Sequence, residues 1–196
     1  MKKKLMTVLA LVLVIALSVA GTYAYLTSQA SVKNTFTVGN VSITMDEAAV
    51  NEYGEKLNDK GTVAVEGDTL AARRDANEYK LVPSHTYVKD PTIHVGANSE
   101  DCYLFVEITN GLGDKATING LAGWTQVAEG SNVYYYNTKV SANANVVVFE
   151  SFTFANDGDP AAFENASIVI KACAIQADGF DDAADAYAKN AVTFAA

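Results

Sequence analysis

Cys102-Tyr103-Leu104-Phe105-Val106-Glu107-Ile108 repeats every two residues. Side chains alternate across a strand, so Cys102, Leu104, Val106 and Ile108 share one face, and Tyr103, Phe105 and Glu107 the other. A second strong run, Ser167 to Gln176, is closed by Ala177-Asp178-Gly179-Phe180. Weaker runs lie at 36–45, 79–95, 124–127, 133–136 and 145–154, with turn signals between them. Ten Tyr, eight Phe and only three Pro suit strands and turns better than a helical bundle. Seven or more strands with one or two short helices predict an all-β fold, a β-sandwich. The pattern alone does not choose between a jelly roll and another sandwich.

In the first run, Phe36 and Val38 alternate, and Val41, Ile43 and Met45 alternate on the opposite parity. An extra residue flips the face of a strand, so a β-bulge is expected at Gly39-Asn40. Residues 46–78 are acidic and turn-rich, and read as an exposed, mobile excursion with a short helix near 47–53 and a weak strand at 62–65. Residues 79–95 read as one extended segment with Tyr87, Ile93 and Val95 on one parity, and with Pro83 and Pro91 at an edge or bulge. Gly111, Gly113, Gly120 and Gly123 break 110–123 into loops. Trp124–Val127 and Val133–Tyr136 flank Ala128–Asn132, a five-residue hairpin loop. Residues 145–154 read as one strand, and Asp181 to Asn190 as an Ala-rich helix whose acids sit at its N-terminal end.

The start of the chain concerns location. Lys2, Lys3 and Lys4 precede an uncharged, mostly apolar run of 16 residues, Leu5 to Ala20. That is shorter than the ~20 residues of a spanning helix. It has the layout of a signal peptide, residues 1–24, cut between Ala24 and Tyr25. An uncleaved anchor is the other reading. Cleavage leaves 172 residues, a size for one domain, here 36–196 preceded by an arm at 25–35. The leader holds three Lys and no acid, so the formal charge falls from −9 to −12 without it. So acidic a chain will not hold nucleic acid or an anionic membrane by electrostatics.

Gly21-Thr22-Tyr23-Ala24-Tyr25-Leu26-Thr27, followed by Asn34-Thr35-Phe36-Thr37-Val38-Gly39-Asn40-Val41, resembles the exit region of proteins processed by the SipW-type signal peptidase, the TasA/camelysin family. The segments 79–109, 124–136 and 167–190 also resemble this group. The resemblance implies a jelly-roll sandwich and a secreted subunit of biofilm matrix or cell-surface fibres. It also implies assembly of the protein with itself by donor-strand addition. Tyr25, Leu26, Ala30 and Val32 would be the apolar residues of the donor arm. An accessory matrix or anchoring protein is a further expected partner. Camelysin is described as a metalloprotease, so the resemblance also raises that activity.

The residues themselves offer little chemistry. His85 and His94 are the only histidines, nine apart on a Pro-flanked segment, and no HExxH occurs. Asp157-Gly158-Asp159 reads as a turn and not a calcium loop. No GxSxG elbow and no Gly-rich strand-to-helix loop is present. Tyr134-Tyr135-Tyr136 reads as a strand alternating between core and surface, with a sugar platform as the alternative. No catalytic residue, cofactor or metal ligand is assigned. Cys102 and Cys173 could close a disulfide outside the cell, or remain two buried free thiols. Three functions are therefore carried: a structural fibre subunit, a camelysin-like secreted metalloprotease, and a membrane-anchored surface binding module.

Overall fold

The computed structural model describes residues 40–190 and 192–194. In chain order the elements are β1 (Ile43–Asp46), β2 (Thr86–Val88), β3 (Thr92–Val95), β4 (Cys102–Asn110), β5 (Ala116–Asn119), β6 (Trp124–Gln126), β7 (Val133–Tyr136), β8 (Asn145–Val147), β9 (Ser151–Phe154), β10 (Ile168–Gln176) and helix α1 (Ala183–Lys189). Short 3-10 turns occur at Gly113–Lys115 and Pro160–Phe163. The strands form three antiparallel sheets ordered β1-β3-β8, β10-β4-β7-β6 and β2-β9-β5. The fold is the all-β sandwich that the alternation predicts.

The two faces of β4 separate as its sequence requires. Cys102, Leu104, Val106 and Ile108 meet Ile93 and Val95 of β3 and Val146 of β8 in the main core, so these two sheets face one another. Tyr103 and Phe105 point the other way, where Ala183 and Ala186 of α1 cover them. The helix starts at Asp182, whose side chain accepts from the Asp185 N–H at 2.8 Å. That satisfies one of the donors a helix start leaves open. The third sheet has a smaller core, in which Tyr87 stacks on Phe152 with ring centroids 4.9 Å apart, beside Leu112, Ala116 and Phe154. The β6–β7 hairpin pairs Trp124 with Tyr136, as expected.

Several expectations are corrected. The segment 79–95 is not one strand: β2 pairs with β9 and β3 with β1 and β8, in different sheets. The break falls at Lys89-Asp90-Pro91, so Tyr87 enters the small core while Ile93 and Val95 enter the main one. Residues 145–154 likewise divide into β8 and β9. Val148 and Phe149 at the corner are both fully buried although consecutive, which period-two reading cannot show. The region 110–123 is not all loop, because β5 pairs with β9 through Ala116, Thr117, Ile118 and Asn119. No helix forms at 47–53: the Asn51 side chain accepts from the N–H groups of Tyr53 and Glu55 and makes a turn instead. Thr62–Val65 contributes only a single bridge, Leu57 with Val63. The expected alternation of Phe36 and Val38, and the bulge beginning at Gly39, lie outside the described residues.

Candidate functional site: an open sheet edge beside a groove

β10 pairs with β4 at all nine of its positions, Ile168 with Asn110 through Gln176 with Cys102. It is the terminal strand of its sheet, and among the described residues no strand pairs with its other side. Which of its backbone groups are free follows from the ladder. The Gly111 N–H donates to Ser167 O at 2.9 Å and the Ala177 N–H to Asp101 O at 2.8 Å. Antiparallel pairs alternate between bonded and non-bonded, so the odd-numbered residues of β10 spend their N–H and C=O on β4. Ile168, Ile170, Ala172 and Ala174 direct theirs to the open side. Their side chains pack on the main core but remain only partly buried.

β1 is also terminal in its sheet, and Val41, Ile43 and Met45 pack partly buried on the same core. It lies beside β10 without forming a ladder with it. Among the described residues, two strand edges meet at this place with no strand between them. The end of β1 and the start of β10 line a groove of about 1010 Å3, with residues 75–81 and 160–167 forming its other walls.

Several charged groups near the groove are spent on one another. Arg73 pairs through Nε with Asp46, and through Nη2 with Asp90 O at 2.9 Å and Thr92 Oγ1 at 2.7 Å. His94 bridges Asp46 at 2.9 Å and Asn145 at 2.6 Å. Burial alone would raise the Asp46 carboxyl, but the hydrogen bonds from His94 and Arg73 outweigh it and hold it below the ordinary value. The Tyr79 phenol is pushed up, by burial first and then by Glu47 and Asp90.

The sequence-predicted site residues are placed as follows. Ala24 and Tyr25 of the cleavage site, and Leu26, Ala30 and Val32 of the arm, lie outside the described residues. Cys102 and Cys173 are free thiols, not a disulfide. Cys102 stands opposite Gln176 and Cys173 opposite Phe105, an odd offset that puts the two on opposite faces of the sheet. Each lines a different core, and burial pushes the Cys102 thiol up to about 11. Tyr134 and Tyr136 pack toward the main core and Tyr135 toward the helix side. Asp157 pairs with Lys115 at 2.8 Å, and the Asp159 side chain accepts from the Ala161 N–H at 3.0 Å.

A catalytic metal is not accommodated by this donor set. Residues 1–39 contain no His, Cys, Asp or Glu, so every candidate ligand lies in the remainder of the chain. Among the described residues no three such side chains converge on a point that could hold a metal ion. His85, just before β2, meets the Tyr53 carbonyl at 2.8 Å, while His94 lies in β3 and is engaged by Asp46 and Asn145. Zinc hydrolases need three protein ligands around an open position, and these two histidines do not begin one. The open β10 edge went unrecognised in the sequence, because alternation marks a strand but not whether both its sides are paired.

Fold and site together define an all-β antiparallel sandwich in which the outer side of β10 pairs with no strand among the described residues. The family model described as camelysin metallo-endopeptidase matches residues 1–66, about a third of the chain. The resemblance to the TasA/camelysin family is thereby supported. No curated protein and no solved structure matches the chain.

Proposed function

We propose that the protein is a secreted structural subunit that assembles with itself, head to tail, into extracellular fibres of a biofilm matrix or cell surface. The observation that carries this reading is the open edge of β10 with the groove beside it. A nine-residue edge that pairs with no described strand is a template for another strand unless something covers it. The arm at 25–35 would supply that strand after a SipW-type peptidase cuts between Ala24 and Tyr25. At ~3.3 Å per residue its eleven residues reach ~36 Å, enough to run the ~30 Å length of β10. Main-chain hydrogen bonds to Ile168, Ile170, Ala172 and Ala174 would provide affinity. Leu26, Ala30 and Val32 would provide register in apolar positions. An arm at one end and an acceptor edge elsewhere make a heterologous contact, which propagates and does not close. An accessory matrix or anchoring protein could start or hold such a fibre by the same edge.

Deleting residues 25–33 tests the reading. The truncated protein should fold and stay monomeric, while the cleaved parent forms fibres visible by electron microscopy as concentration rises. Fibres of normal appearance from the truncation overturn it.

The family's description favours a second reading, a secreted metallo-endopeptidase. It requires bound metal and casein cleavage by the purified protein, and the donor set described above argues against both. A membrane-anchored binding module is distinguished by its N-terminus, since mass spectrometry would find residues 1–24 still attached.

A further inference from the structure

We propose that Lys89 and Asn77 are joined by an intramolecular isopeptide bond, formed with Glu47 as the proton-transfer residue. Three segments far apart in sequence bring these side chains to one place. Glu47 follows β1, Asn77 lies in the segment that walls the groove, and Lys89 follows β2. Glu47 is 3% exposed and the Lys89 side chain 11%. The Glu47 carboxylate holds Lys89 Nζ on Oε2 at 2.6 Å and accepts from Asn77 Nδ2 on Oε1 at 2.9 Å. It therefore spans the amine and the amide. Asn77 Nδ2 also donates to Ala48 O at 2.9 Å, and Asn77 Oδ1 accepts from the Val50 N–H at 3.0 Å. The amide is held at both ends, its carbonyl polarised by a backbone donor.

A base beside an amine and a polarised carbonyl are the conditions for acyl transfer. Glu47 takes a proton from the Lys89 ammonium, and the neutral Nζ attacks Asn77 Cγ. The Val50 N–H stabilises the negative charge that gathers on Oδ1. Glu47 then gives its proton to Nδ2 and takes one from Nζ. The Cγ–Nδ2 bond breaks, the nitrogen leaves as ammonia, and a Cγ–Nζ amide remains. The five protons of the ammonium and the amide are all accounted for: three leave with ammonia, one stays on the new amide and one on Glu47. Nothing is oxidised or reduced. A buried ion pair becomes a neutral acid bonded to a neutral amide, which removes two charges that are costly to keep out of water. The bond would tie the groove wall to the β2–β3 corner in a chain whose two cysteines are not joined.

The test is the mass of the purified, folded full-length protein and its peptide map. The intact mass should fall about 17 Da below that calculated from its observed N-terminus, the loss of one ammonia. Trypsin should leave Lys89 uncut, and one branched peptide should contain both Asn77 and Lys89. Asn77→Asp should lose water in place of ammonia, about 18 Da, and Lys89→Arg and Glu47→Gln should have full mass. A wild-type protein of full mass, with linear peptides around both residues, overturns the proposal even if Glu47→Gln does not fold. So does an ammonia loss confined to a linear peptide at Asn110-Gly111 or Asn119-Gly120.

Discussion

Tyr87 has no exposed surface, and its hydroxyl is fully used. It accepts from the Val82 N–H at 2.6 Å and donates to Lys80 O at 2.8 Å. Tyr87→Phe would keep the stack on Phe152 but leave two backbone groups unpaired. The expected cost is ~1–3 kcal/mol, read as a lower midpoint in denaturant at unchanged slope. Close by, Gly54 has φ +75°, and a Cβ there would lie 2.6 Å from the Tyr87 Cα. Only glycine lets the excursion lie against β2 at that point. The His94–Asp46 pair makes stability depend on pH. His94 is raised by its hydrogen bond to Asp46, then by that to Asn145, against burial and Arg73. Its contribution is complete below the unfolded value of ~6.5 and is lost as pH rises through the raised folded value. Asp46 is lowered, so its contribution is present above ~3.8 and is lost as pH falls through the lowered value. The pair therefore stabilises most between ~pH 4 and ~6.5. Thermal midpoints of wild type and His94→Gln should differ most in that window and converge at higher pH. A difference independent of pH would contradict this assignment.

At the scale of elements, the open edge of β10 admits a sharper test than truncation. Ala172 directs its N–H away from β4, so a proline there removes no bond of the β10–β4 ladder. Ala172→Pro should leave the domain folded, as judged by its circular dichroism and thermal midpoint, and stop assembly. Normal fibres from that variant would place the acceptor elsewhere. How much of an element its sequence reveals depends on what surrounds it. β4, β10 and the β6–β7 hairpin were legible because each is long or bounded by clear turns, and the alternation of β4 sorted its two faces correctly. The divisions of 79–95 and 145–154 were not legible. A strand that leaves one sheet for another at a corner stays apolar throughout, and Val148 and Phe149 are buried side by side. β5 was hidden by its length of four residues among glycines.

At the scale of the whole molecule, acidity suits the proposed export: removal of residues 1–24 would bring the formal charge to −12, which would keep the proposed subunit in solution until a specific edge is engaged. The sequence by itself determined the all-β class, the two faces of the central strand, the Ala-rich C-terminal helix with acids at its start and the leader-like N-terminus, because all of these are written in neighbouring residues. Only the tertiary structure decided which strand edge pairs with no other described strand and where the groove lies. It alone separated Cys102 from Cys173 and gathered Glu47, Asn77 and Lys89. Pairing across a sheet joins residues tens of positions apart, and no local period records the partner.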